Sequence, residues 1–407
     1  MYNKLISYPF RDPAQGTWLD SPITYKATRE TLAPSFFEMD SNMVGGQVLE
    51  EDIELIKKVL SNSIDINEIG GSTKGRSVYL PLKKEFKLMG STFRDLKLKG
   101  ILYDQDPESL KTYSDRASLV DQNKFLLQVS ENGEFSRIKD TPKPDGGLYL
   151  YEAVHEYKLM KQAFDLDLPV PCPLGVGAFT KLKYDGLRLG YILMAVPSKE
   201  DKDIIGFSRE KLEALERSLV GTRREKAEKI LMELGGLFIG QAALLRMMND
   251  SGIVPFDRHP GNFAVHEDSS IYTFDFSRGI TAADTTREQF SAYMTECWLM
   301  FFYNVYMIAE EMMTILGKYL PDPALVPYVT LLIVLDKLLT DEEKKNIGGL
   351  SIDPVVELRS GTIQAYMKIA NPKYDHEPWE FSTYLNNPIA RELRDISYRA
   401  YNKVNNP

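Results

Sequence analysis

The chain has 407 residues, 43% of them hydrophobic and 26% charged, with a formal net charge of −9. That length buries a sizeable core and predicts two lobes or domains, and the near-average composition excludes a disordered or fibrous chain. The acidic balance argues against bulk nucleic-acid binding. The two cysteines, Cys172 and Cys297, lie far apart in sequence and suggest neither a disulfide framework nor a cysteine zinc site, so a reducing compartment is the default.

Residues 1–62 read as an irregular N-terminal arm followed by a helix. The start of the chain lacks the apolar core and small-residue cleavage site of a secretory signal, and no apolar run approaches the length of a membrane span, so a cytoplasmic location is expected, with export by another route left open. Glu50 to Leu60 places Ile53, Ile56 and Leu60 on one face, with acids first and lysines last, an amphipathic helix oriented as its dipole prefers.

Residues 63–197 read as a β-rich unit. Gly70, Gly71 and Gly75 fall in what reads as a turn between two strands, a form that brings backbone amides close to a phosphate and that a plain glycine-rich hairpin also takes. Phe93 to Ile101 is the next strand, with Leu96 and Leu98 on one face and Lys97 and Lys99 on the other, which also suits a plain solvated strand face on which Lys97 stays in water. A polar segment at 103–146, an insertion in the resemblance given below, holds a hairpin, Phe125–Val129 and Glu134–Ile138, with Lys139 just after it. Leu148 to Phe164 has a helical period through Ala153, Tyr157, Met160 and Phe164, with Glu156 one position off that stripe and Glu152 nearer its start. Gly190 to Pro197, which includes Met194 and Val196, is a continuous apolar run of the kind that forms a buried strand.

Residues 198–407 turn helical. Thr222-Arg223-Arg224-Glu225 is a capping box opening a helix to about Met248, and helical periods recur at Gln289–Leu316, Ala324–Leu339, Pro354–Asn371 and Arg391–Asn402. Between them stands Phe256-Asp257-Arg258-His259-Pro260-Gly261-Asn262. A Phe-Ala-Val run, a polar turn at His266–Ser270 and Ile271-Tyr272-Thr273-Phe274 then predict a hairpin that returns Asp275 to the side of Asn262. The six residues Asp257–Asn262 also suit an ordinary polar turn, with Asp275 capping the next element. In the other reading, a carboxylate, an amide oxygen and a second carboxylate gathered in one cleft are the parts that phosphoryl transfer from ATP uses. No His-x-x-x-His pair or Gly-x-Ser-x-Gly elbow competes with it, and the single Glu-x-x-His, Glu152 to His155, has no second copy.

Asp257-x-His259-Pro260-Gly261-Asn262 resembles the atypical kinases of ubiquinone biosynthesis and the aminoglycoside and choline phosphotransferases. Read as Asp-Arg-His-x-x-Asn, the same stretch resembles the phosphoinositide kinases. Leu98-Lys99-Gly100 resembles a strand of the selenoprotein O family, which transfers AMP, and Leu168-Pro169-Val170-Pro171 is similar to a turn of small-molecule kinases. The likeness to the protein-kinase-like superfamily, atypical branch, covers roughly residues 65–300. It implies an α+β, two-lobed protein-kinase-like fold with a β-rich N-lobe, a helical C-lobe and an N-terminal arm. It also implies ATP and Mg²⁺ (or Mn²⁺) as cofactors. Asp257 would orient the acceptor hydroxyl, and Asn262 and Asp275 would hold metal. Lys99, with Lys97 and Lys139 as alternatives, would bind phosphates and be held by Glu156, with Glu152 as the alternative. Gly70, Gly71 and Gly75 would lie near phosphates, and the backbone of Met194 and Val196 near adenine. The chain departs from ordinary protein kinases in having Pro255-Phe256 before Asp257, Ser277 in place of glycine after Asp275-Phe276, and no Ala-Pro-Glu anchor. The acceptor is open among a protein, a phosphoinositide and a small molecule. AMP transfer and a pseudokinase scaffold are the rival functions.

Overall fold

The computed structural model describes residues 34–40, 47–61, 63–74, 77–101, 125–139, 147–184, 187–218, 220–255, 262–320, 322–370 and 378–406. The chain divides into two compact units, one of residues 1–126 with 139–200, the other of residues 127–138 with 201–407.

The first unit is built on a six-stranded antiparallel sheet. Its strands are β1 (Pro34–Met39), β2 (Ser72–Lys74), β3 (Ser77–Leu88), β4 (Ser91–Lys99), β7 (Cys172–Tyr184) and β8 (Leu187–Val196), in the order β1-β7-β8-β4-β3-β2. The apolar run at 190–196 becomes central strand β8, buried from Leu189 to Val196. Helix α2 (Leu150–Asp165) packs across β7 and β8. Helix α1 (Glu50–Leu60) buries Ile53, Ile56, Val59 and Leu60, and its buried Asp52 accepts the Lys83 N–H at 3.1 Å, where the β3–β4 ladder shifts register. Gly100 ends β4 at φ +89°, and a Cβ there would meet Gly190 O and Leu148 Cβ, each at 2.7 Å. Only glycine fits such an approach.

One expectation for the arm is corrected. Residues 34–39 are not irregular: β1 pairs with β7 as an edge strand, and Phe36 meets Tyr191 edge-to-face at 5.5 Å between ring centroids. Without β1, the backbone groups of β7 would form an open edge.

The second unit is helical. Its elements include β9 (Lys202–Asp203), α3 (Ile204–Ser218), α4 (Arg223–Asp250), β10 (Ile253–Val254), β11 (Phe263–Val265), β12 (Ile271–Thr273) and β13 (Ile280–Thr281). These are followed by α5 (Arg287–Leu316), α6 (Val326–Leu338), α7 (Asp341–Asn346), α8 (Ile352–Ala370), α9 (Ser382–Leu385) and α10 (Pro388–Asn405). Helix α5 is the core, burying Trp298, Phe301, Phe302 and Tyr306, and α4, α6, α8 and α10 pack on it. The capping box closes as its residues predict: Glu225 N–H donates to Thr222 Oγ1 at 3.3 Å and Thr222 N–H to Glu225 Oε2 at 2.8 Å. Among the described residues, α4 alone is long and apolar enough to cross a membrane by length and composition, a length that counting unbroken apolar runs overlooks; half of that stretch is buried in the unit, as in a core helix.

The insertion forms the expected hairpin, β5 (Phe125–Val129) with β6 (Phe135–Lys139), and its residues 127–138 belong to the second unit. Phe135 exchanges backbone hydrogen bonds with Trp379 at 2.9 and 2.7 Å, and its ring lies 5.7 Å from that of Trp379 and 4.5 Å from that of Phe381. The fold class is therefore α+β, a sheet-rich N-terminal unit and a helical C-terminal unit. In chain order β2, β3 and β4 are followed by the β5–β6 hairpin, α2, β7 and β8, and then by the helices and the Asn262–Asp275 hairpin.

Candidate active site

Lys99 and Glu156 belong to the first unit, Asn262 and Asp275 to the second. Lys99 is the last residue of β4 and shares a strand face with Lys97 and Asp95, at spacings of two and four. Its Nζ lies 2.7 Å from Glu156 Oε1 and 2.8 Å from Oε2. The two side chains are 7% and 1% exposed. Glu156 was expected one position off the apolar stripe of α2, yet it is buried with Ala153, Tyr157 and Met160. An isolated charge there costs several kcal/mol, which only a close, hydrogen-bonded partner offsets. Glu152 serves otherwise: its Oε2 accepts the Tyr149 N–H at 3.2 Å and caps the first turn of α2.

Lys97 was expected on a solvated face and is buried, with its Nζ 5.6 Å from the centroid of the Tyr79 ring. Residues 95–99 of β4 are all buried, so both faces of the strand are covered there. Met194 and Val196 lie on β8 opposite Lys97 and Asp95, their side chains buried. Lys139 is the last residue of β6.

The glycines stand differently from the expectation. Gly70, at φ +71°, closes a 3₁₀ turn over Asn67–Ile69. A Cβ on Gly71 would meet Ile66 O at 2.9 Å and Tyr79 O at 3.0 Å. Both glycines therefore precede β2 and are required by local backbone packing, not by the connection between β2 and β3. That connection is residues 75–76, with Lys74 paired to Ser77. Gly75 lies outside the described residues, as does the stretch 256–261 with Asp257.

In the second unit, β11 and β12 pair with Phe263 opposite Thr273. The ladder extends one step further, because Asn262 O accepts the Phe274 N–H at 3.2 Å and the Thr273 hydroxyl at 2.9 Å. Asp275 follows at once, so the short hairpin returns it to the neighbourhood of Asn262. Asp275 has φ +73°, a left-handed conformation that aspartate tolerates better than most residues but that still costs about 1–3 kcal/mol. Its Oδ1 accepts the Ser277 hydroxyl at 2.7 Å and the Ser277 N–H at 3.3 Å, which steadies the carboxylate. The serine that departs from the usual triplet thus has work to do.

The side chains of Asn262 and Asp275 offer an amide oxygen and a carboxylate, which are hard-oxygen donors. They suit Mg²⁺, which takes one or two carboxylates and completes its shell with phosphate oxygens and water. Among the described residues, no group of three or more His, Cys, Asp or Glu side chains forms an all-protein metal cage.

Asp95 escaped the sequence reading. Its buried carboxylate accepts the Lys199 N–H at 2.8 Å, and Lys199 Nζ reaches Gly70 O at 2.9 Å, fastening the segment after β8 to the turn before β2. Burial pushes the Asp95 carboxyl above its ordinary range, with the Lys199 N–H acting against that shift. A usable signal existed: an aspartate in strand phase with Lys97 and Lys99.

No family model matches the chain, and no curated protein matches it. Among solved structures, it is similar to the Toxoplasma gondii specific rhoptry antigen kinase domain, at 12% identity over 81% of each chain, with a TM-score of 0.29. It is also similar to a divergent kinase lacking the glycine-rich loop that regulates membrane ultrastructure of the Toxoplasma parasitophorous vacuole. There the identity is 14%, over 60% of this chain and 67% of that one, with a TM-score of 0.23. Likeness this distant carries no weight on activity.

Proposed function

We propose that the protein is an ATP- and Mg²⁺-dependent phosphotransferase. The reading rests above all on the Lys99–Glu156 ion pair. A buried pair is weak as a stabilising device, whereas a lysine held rigidly by a glutamate is what phosphate binding in a kinase requires. Lys99 donates to a phosphate oxygen, and Glu156 fixes where its ammonium points. Asn262 and Asp275 would hold the Mg²⁺ or Mn²⁺, which supplies neutralisation of phosphate charge when bound. Asp257 orients the acceptor hydroxyl and takes its proton as the bond from that oxygen to the γ-phosphorus forms and the bond to the β,γ-bridging oxygen breaks. The acceptor is a hydroxyl of a protein, a phosphoinositide or a small molecule. A reducing, cytoplasmic setting belongs to the same proposal and fits two buried cysteines that are not joined by a disulfide. Gly100, part of the likeness to AMP-transferring proteins, has its own packing reason and so does not favour AMP transfer.

The test uses ATP labelled separately at the α and γ positions, with candidate acceptors and mass spectrometry of the products. Label from γ in the product supports the reading, and label from α shows AMP transfer instead. Nucleotide binding with neither product marks a scaffold. Asp257→Asn should keep nucleotide binding and lower transfer by roughly 10²- to 10⁴-fold, the usual contribution of a positioned base.

A further inference from the structure

The β11–β12 hairpin has strands of only three residues each, and a hairpin that short is marginal by itself. The position of Asp275 relative to Asn262 nevertheless depends on its register, because a slip of one residue turns every side chain to the opposite face. Asp201 reaches both sides of the hairpin. Its Oδ1 lies 2.7 Å from His266 Nδ1, just beyond β11, and its Oδ2 accepts the Tyr272 hydroxyl at 3.0 Å, in the middle of β12. One carboxylate thus bridges both strands of the hairpin. It is buried, with the Asp201 side chain 5% and the His266 side chain 12% exposed. The next two residues add a third strand, as β9 pairs Lys202 with Val265 and Asp203 with Ala264. Asp203 Oδ1 then accepts the Gly206 N–H at 2.7 Å and ties the segment to the start of α3.

We propose that Asp201, acting through His266 and Tyr272, is a positioning residue that sets the hairpin register and with it the metal-binding geometry of Asn262 and Asp275. This rests on the phosphotransferase reading. A buried carboxylate costs free energy unless its oxygens are hydrogen-bonded. Here each oxygen is committed to a different strand of the element carrying the metal ligands, so the polar contacts and the ligand geometry stand or fall together. Partners that orient metal ligands in this way typically change metal affinity by about 10- to 100-fold when removed.

The probe is Mn²⁺ in the presence of a non-hydrolysable ATP analogue, with free Mn²⁺ followed by electron paramagnetic resonance. The variants are Asp201→Asn, Tyr272→Phe and, as reference, Asp275→Ala. Asp201→Asn should weaken Mn²⁺ binding by about tenfold and Tyr272→Phe by about threefold, with metal-free affinity for the analogue unchanged. A merely structural role would lower the melting temperature and both affinities together, which overturns the proposal. Should Asp201→Asn fail to fold, Tyr272→Phe decides. If Asp275→Ala abolishes Mn²⁺ binding while Asp201→Asn and Tyr272→Phe leave it at wild-type strength, the positioning role falls and the phosphotransferase reading stands. If Asp275→Ala itself binds Mn²⁺ normally, the phosphotransferase reading falls and the positioning role falls with it.

Discussion

Replacing Glu156 by Gln keeps the size of the side chain and takes away the charge that faces Lys99. The Lys99 side chain, 7% exposed, then faces one neutral amide oxygen from residue 156 where it had two carboxylate oxygens at 2.7 and 2.8 Å. Removing one partner of a buried ion pair costs about 3–5 kcal/mol. The remaining amide acceptor argues for the lower end, about 3 kcal/mol. Urea unfolding gives the overall loss, and hydrogen exchange at the amides of β4 and α2 localises it. The companion variant is the double Lys99→Met with Glu156→Leu, which removes both charges and fills the space with apolar atoms. It should return to within about 1 kcal/mol of the wild type, since apolar replacement of a buried pair is often neutral or stabilising. Its nucleotide affinity should stay at least tenfold down. Stability and binding therefore part company in the double variant. A double variant that binds nucleotide normally would make the pair a packing feature. A Glu156→Gln protein that loses less than about 1 kcal/mol would refute the burial argument.

Asp275→Ala should abolish metal-dependent nucleotide binding while the protein stays folded, because it removes a ligand and costs at most about 1–2 kcal/mol for alanine in a left-handed conformation that aspartate tolerates better; calorimetric titration with and without Mg²⁺ and a thermal melt check this. Lys99→Met should lower transfer at least a hundredfold and Lys97→Met less than tenfold, since only Lys99 is held by Glu156; the reverse order in steady-state rates would move the phosphate contact to Lys97. For Asp95, burial raises the folded-state pKa, so its stabilising contribution is complete below the unfolded value and lost as pH rises through the folded one. Asp95→Asn does not titrate, and its melting temperature should therefore gain on the wild type as pH rises from the ordinary carboxylate range through the raised folded-state value. Trp379→Ala should raise hydrogen exchange across residues 127–138, because Phe135 loses a stacked ring and the edge that Trp379 shields.

The long elements were legible because period and composition agree in them. The apolar positions of α2 and α4, the unbroken run of β8 and the capping box at Thr222 each specify one structure, and each forms within a few residues of its expected bounds. The arm and the glycines were less legible, for a shared reason. β1 exists because β7 has an edge to cover, Gly70 turns the backbone at φ +71°, and Gly71 is required by the approach of Ile66 and Tyr79. In both cases the deciding partner is distant in the chain or visible only as backbone, and a local pattern does not contain it.

At the site, the distinction falls between residue types and residue environments. An asparagine thirteen positions before an aspartate, with two apolar runs and a polar turn between them, encodes a hairpin locally, and that hairpin forms. Sequence phase also placed Lys97 and Lys99 on one face of one strand, the face that Asp95 shares. It could not say that this face is buried, and burial is what gives each charge its meaning. Lys99 is held by Glu156, Lys97 lies over Tyr79, and Asp95 holds the backbone of Lys199. The same holds for Asp201, which in sequence is one acid in the run Lys199-Glu200-Asp201-Lys202-Asp203 and reads as a solvated turn. Its two bonds to the β11–β12 hairpin follow from β9 pairing with β11, a contact across more than sixty positions of chain. Charged residues buried by such long-range pairing are therefore where a sequence reading of this chain runs out. They are also where substitution should separate function from fold most cleanly.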